Sequence, residues 1–178
     1  EAGDDFNCEF RTEASKESDY VFEVLTRLHA RACQVASEIL VLLKAGYADG
    51  AHARWRSLHE IAVVGFFIQS TGNEIAEKYL LHDAIDSYKA AQQYQEHCKA
   101  LGYEPISERE LSEIKVLYDH LRDRFGSSYT TDYGWAASVI DKNPTIRDIE
   151  QRVELDYLRP FYKMASYNVH ATRSEERR

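Results

Sequence analysis

The stretch Gly50–Ser70, GAHARWRSLHEIAVVGFFIQS, decides the fold class. Its first half carries Arg54, Arg56, His59 and Glu60, and its second half, Ile61 to Ile68, carries no charge. Read at helical spacing, Ala51, Trp55, Leu58, Ala62 and Phe66 form one apolar stripe. His52, Arg56, Val63 and Phe67, with Glu60 at the edge, form a second. A helix apolar on several sides is a central one, covered by neighbours. Arg56 and Glu60 are therefore expected to point at another helix rather than at bulk water.

The flanking sequence extends the helical pattern in both directions. Upstream, Val21, Leu25, Leu28, Ala32, Val35, Ile39 and Leu43 step at three or four along one face of a helix expected from about Ser18. Gly46 closes it, with Tyr47 placed for the apolar contact behind such a cap. The turn into the central helix is short, which makes antiparallel neighbours. Downstream, Asn73 is expected to cap a helix over residues 74–101 whose stripe includes Ala76, Leu80, Ala84, Ala91 and Leu101, stopped by Gly102. Ser107 with Glu110 is a capping box for a shorter helix ending at Gly126.

Residues 127–143 are irregular, and Trp135 there reads either as an aromatic plug in the core or as the wall of a ligand site. A helix reopens after Pro144-Thr145, from Ile146 to about Leu158. Pro160 either kinks it or begins a last helix. In that last helix Phe161, Ala165, Val169 and Thr172 are expected inward, with Tyr162, Ser166, His170 and Arg173 along the neighbouring edge. The fold class that follows is all-α, a mostly antiparallel bundle of five or six helices. Residues 1–17 read as a loose polar lead-in, 18–173 as a single helical domain, and 174–178 as a charged tail.

Composition narrows the function classes. The 178 residues carry a net charge of −8, which argues against general DNA binding, since that needs many phosphate contacts. A small local basic pocket stays compatible with it. Cys8, Cys33 and Cys98 show no CxxC spacing and read as reduced thiols, so a cytoplasmic location is expected. No apolar run reaches the ~18 residues of a membrane span.

No metal site is expected. HExxH would need histidine where Val63 stands, Glu-x-x-His is absent, and His52 with His59 lack a third ligand. No P-loop, GxGxxG or GxSxG is present, and no cofactor is implied. What remains is a polar constellation: Arg56 and Glu60 at i,i+4, with Ser166 and His170 on one edge of the last helix. It reads either as a structural bridge between helices or as a ligand or catalytic pocket.

The RSLHE run and the later YKMASYNVHA run resemble a bacterial family of unknown function. That family shows R-S-L-x-E near its start and Y-x-x-A-S-x-x-V-H at its end, and the resemblance covers roughly residues 38 to 172. It implies Arg56, Glu60, Tyr162, Ser166 and His170 as site residues. More distantly, the arrangement resembles the HEPN superfamily of compact helical domains, many of them metal-independent RNases in toxin–antitoxin and phage-defence systems, often dimeric. Their motif is an arginine, four to six residues, then a histidine. Counting back from His170 gives Ala165, Met164 and Lys163, so lysine is the only basic substitute there. Arg54 and His59 satisfy the spacing on the central helix.

The resemblance implies RNA cleavage with His170 or His59 as base, Arg56 stabilising phosphate charge, and Ser166 and Tyr162 orienting donors. His59, Lys163 and Trp135 are candidate ligand-binding residues. The first expectation is thus a HEPN-like protein interacting with RNA or a nucleotide, an RNase-type effector if it is an enzyme. The alternative is a non-catalytic helical module that forms a homodimer or binds a partner, its polar cluster structural. A third reading is a small-molecule bundle with the ligand beside Trp135, His82 and Tyr88.

Overall fold

The computed structural model describes residues 2–141 and 143–169, with side chains from residue 10 onward. Among them are seven α-helices and no strand: α1 (Ala2–Glu17), α2 (Tyr20–Lys44), α3 (Ala48–Thr71), α4 (Asn73–His97), α5 (Glu108–Phe125), α6 (Ile146–Arg152) and α7 (Arg159–Tyr167). The all-α class holds. No helix among the described residues is long and apolar enough to cross a membrane.

Residues 2–17, expected as a loose lead-in, form a helix. Their strong helix formers, Ala14, Lys16 and several glutamates, act without an apolar stripe. Ser18, at a φ of +53°, breaks the helix and turns the chain into α2. Two compact units result, one from Glu1–Asn73 with Ile146–Arg178, the other from Glu74–Thr145.

In the first unit α2 and α3 pair along their length. Glu38 meets Arg54, Gly50 lies against Leu42, and Gly65 against Leu25 and Leu28, so the two run antiparallel. The turn between them uses Gly46 at a φ of +83°: its N–H bonds to Leu43 O and that of Tyr47 to Leu42 O, which satisfies the last carbonyls of α2. Tyr47 itself is exposed and makes no buried cap contact. At the other end Asn73, expected to cap its own helix, instead serves α2. Its Oδ1 accepts from the N–H groups of Tyr20 (2.7 Å) and Val21 (3.3 Å), and its Nδ2 donates to Ser18 O (2.8 Å).

The faces differ from expectation. On α3 the stripe containing Phe66 opens only towards its C-terminal end, with Ala51 buried and Phe66 54% exposed, while His59, Val63, Val64, Phe67 and Ile68 are buried. The helix has two apolar faces, and α6 and α7 cover the one that carries the polar residues. On α2, Val24 and Val35 are buried and Leu43 is exposed. The helix from Ile146 stops at Arg152 because Glu154 takes a φ of +58°, and Pro160 then opens α7. Of the residues expected inward on the last helix, Ala165 is buried, Phe161 and Val169 are exposed, and Thr172 lies outside the described residues; Tyr162, expected along the edge, is buried.

The second unit holds α4, α5 and two short 3₁₀ turns, Ser127–Thr130 and Gly134–Ala136. The Ser107–Glu110 capping box opens α5 as expected. Of the stripe read for α4, Ala76 and Ala91 are buried, but Leu101 is exposed. Tyr129 and Trp135 are buried, Trp135 edge-on to Tyr79 at 5.1 Å, so the aromatic plug forms. His82 is buried as well, its Nε2 facing the carbonyls of Tyr129 (3.1 Å) and Thr131 (2.9 Å). Tyr88 packs on Tyr118, with centroids 4.4 Å apart.

Candidate functional site

The polar constellation lies in the first unit, where α6 and α7 dock on α3. Helical spacing places His52, Trp55, Arg56, His59 and Glu60 on neighbouring turns of one α3 face. Arg56 Nε donates to Glu60 Oε1 (3.1 Å) within α3, and Arg56 Nη1 reaches Ser166 Oγ on α7 (3.4 Å). The Tyr162 hydroxyl donates to the same Glu60 oxygen, and Ser166 Oγ to the carbonyl of Tyr162. Asn168 bonds the carbonyl of Asp49, which sets α7 antiparallel to α3. Four of the sequence-derived residues, Arg56, Glu60, Tyr162 and Ser166, are therefore in direct contact.

His59 belongs to a second branch. It is buried and stacked on Trp55 (5.3 Å), its ring 5.7 Å from that of Tyr162. Its Nε2 lies 3.0 Å from Oε1 of Glu150, a carboxylate with no exposed surface. Arg159 Nη1 donates to the other oxygen of Glu150 at 2.7 Å. Tyr162 joins the branches, because the guanidinium carbons of Arg56 and Arg159 each lie 4.7 Å from its ring centroid. Such cation–π contacts strengthen as the groups lose water.

The electrostatics follow from burial. The Tyr162 hydroxyl is pushed up to about 12, first by burial and then by the hydrogen bond to Glu60 and the charge of that carboxylate, against the pull of Arg56. For Arg56 burial works against the charge. The hydrogen bond to Glu60 and the attraction of Tyr162 and Glu60 outweigh it, so the guanidinium sits above its ordinary value. The Arg56 and Glu60 side chains keep about a third of their surface in solvent, at 29% and 34%.

The remaining candidates lie elsewhere. Lys163 is on α7 but exposed and outside the hydrogen-bonded cluster. Trp135 belongs to the second unit. His170 lies outside the described residues. The Arg54–His59 pair diverges: Arg54 is bound to Glu38 of α2 and Ser57, and His59 to Glu150 of α6. Among the described residues no three His, Cys, Asp or Glu side chains gather as metal ligands.

Sequence reasoning missed Glu150 and Arg159. A signal existed for the first: Glu150 stands four residues after Ile146 and three before Val153, where the apolar period calls for a core residue. A carboxylate there must find partners inside. Nothing local marks Arg159.

No curated protein and no solved structure matches this chain. The sequence model of a family described as "Family of unknown function (DUF5677)" matches residues 22–175, and the chain belongs to that family.

Proposed function

We propose that the chain is a HEPN-like protein that interacts with RNA or a nucleotide, receiving phosphate at the α3–α7 edge with Arg56 as the cation. The observation that supports this is the meeting of Arg56 with Ser166 and Tyr162 at a half-open edge, from segments more than a hundred residues apart. Arg56 is engaged by Glu60, Ser166 and the Tyr162 hydroxyl, and the rest of its five-donor fork faces the half-open edge, where water or a phosphate oxygen can meet it. His59 is buried with Nε2 engaged, so cleavage in an RNase effector of stress or phage defence would rest on His170 as the base. The test is binding of a 5′-phosphorylated oligoribonucleotide to the wild-type chain and to Arg56→Ala. A loss of about tenfold or more in affinity, with the circular dichroism unchanged, is expected. Equal binding by both, or none by the wild type, overturns the reading.

A second reading, a non-catalytic helical module, rests on two observations. Glu60 and Glu150 neutralise both arginines of the cluster. In addition, α2 and α3 leave an open, largely apolar groove of about 280 Å³ between Leu25, Leu28, Ala32, Ala62 and Phe66, with His29 also lining it. In this reading the groove seats a second copy or a partner helix. Light scattering on the wild type and on Phe66→Ser separates the two cases: a dimer lost in the variant supports the module, and a monomer at every concentration removes the homodimer.

A further inference from the structure

We infer that the phosphate site is built for two linked phosphates, with Arg159 as the second cation. The inference rests on the phosphate reading above and adds a residue and a ligand class to it.

The geometry is that of two cations held around one ring. Each guanidinium carbon is 4.7 Å from the Tyr162 centroid, so the two are at most twice that distance apart, a span that adjacent phosphates of one strand or of a diphosphate can bridge. Each arginine is anchored by a carboxylate at one end, Arg56 by Glu60 and Arg159 by Glu150. Anchoring fixes the planar fork of each guanidinium. Arg159 keeps 36% of its side-chain surface exposed, close to the 29% of Arg56. The anchors differ in one respect that matters. Glu150 is wholly buried and also faces His59 Nε2, so it has no freedom to follow Arg159 outward. The second cation is thus positioned by the fold interior before any ligand arrives.

The number of forks sets the ligand class. The two guanidiniums and two carboxylates cancel, so net charge alone draws in neither one phosphate nor two. Two linked phosphates gain from both forks at once, because binding the first raises the effective concentration of the second. The shared chemistry is a pair of linked phosphates, whether from an RNA backbone or from a nucleoside diphosphate.

The experiment is titration of the full chain with inorganic phosphate, pyrophosphate, UDP and an oligouridylate lacking terminal phosphates, at low and moderate salt. Pyrophosphate is expected to bind about tenfold or more tighter than phosphate. UDP stronger than the oligouridylate assigns the pair to a nucleotide, and the reverse order assigns it to a backbone. Because Arg159→Gln alone leaves Glu150 short of a cation, the double variant Arg159→Gln with Glu150→Gln is used beside it. In that variant pyrophosphate should lose about tenfold or more in affinity and phosphate much less, so the preference for pyrophosphate falls towards one. A preference near one in the wild type, or one that survives in the double variant, overturns this inference alone. Failure of every anion to bind overturns the phosphate reading with it.

Discussion

The Tyr162 hydroxyl on α7 donates to Glu60 on α3, 102 positions earlier in the chain. This bond fixes the docking of the last described helix and also sets a pH dependence. The hydroxyl of Tyr162 sits at about 12 in the fold, above its ordinary value near 10. The folded chain therefore holds that proton more tightly than the unfolded chain does. The stability it contributes is fully present below about pH 10 and is lost as pH rises towards 12. In urea unfolding between pH 8 and 12, the wild type should weaken across that interval. Tyr162→Phe should be weaker at pH 8 by about 1–3 kcal/mol, since Glu60 and Arg56 lose a partner, and should show a shallower alkaline decline. An unchanged decline in the variant would mean that other groups set it.

Glu150 carries the interior half of the cluster. Its two oxygens face His59 and Arg159, and no part of it reaches solvent. Glu150→Ala leaves His59 without that partner and a cavity beside it, and it should cost about 3–5 kcal/mol in urea unfolding. His59→Leu should cost less in the Glu150→Ala background than alone, because the two act on one interaction. Additive losses would show that they do not.

The central helix and the two i,i+4 pairs of the cluster are legible because both rest on local spacing. Arg56 with Glu60, and Tyr162 with Ser166, are i,i+4 pairs on two strongly patterned helices. What periodicity does not tell is which of two apolar faces is covered, so Phe66 and Phe161, each on an apolar stripe, lie outward. The aromatic body and polar tip of Tyr162 suited it to the buried side, with the ring inside and the hydroxyl on Glu60. Arg159 was out of reach for another reason. It meets Glu150 only because the chain reverses at Glu154 in a left-handed conformation that favours glycine, and Glu at that position gives no sign of a turn.

Asn73 supplies a cap to a helix more than fifty residues away, which propensity alone would not indicate. Asn73→Ala should cost about 1–2 kcal/mol, as loss of a helix cap does, and should speed amide exchange at Tyr20 and Val21 first. Asn73→Asp keeps the two acceptor bonds and places negative charge at the start of α2, losing only the bond to Ser18 O. It should retain most of the stability. If Asn73→Ala were silent at those two amides, the long-range cap would not be stabilising α2.

Two backbone positions are of opposite character. Glu154 is exposed, at a φ of +58°, and its N–H closes the end of α6 on Gln151 O. A side chain there costs about 1 kcal/mol that glycine does not pay. Glu154→Gly should therefore raise stability by about 0.5–1 kcal/mol, part of the gain being offset by the freer unfolded chain. Gly134 is the reverse. A Cβ on it would lie 2.2 Å from Tyr129 O and 2.5 Å from Ser128 O, both backbone atoms of the neighbouring 3₁₀ turn. Gly134→Ala must push that turn off its seat, and with it the buried Tyr129 ring. A loss of about 2–4 kcal/mol in urea unfolding is expected. A stabilised Gly134→Ala, or a destabilised Glu154→Gly, would contradict the backbone conformations described for these turns.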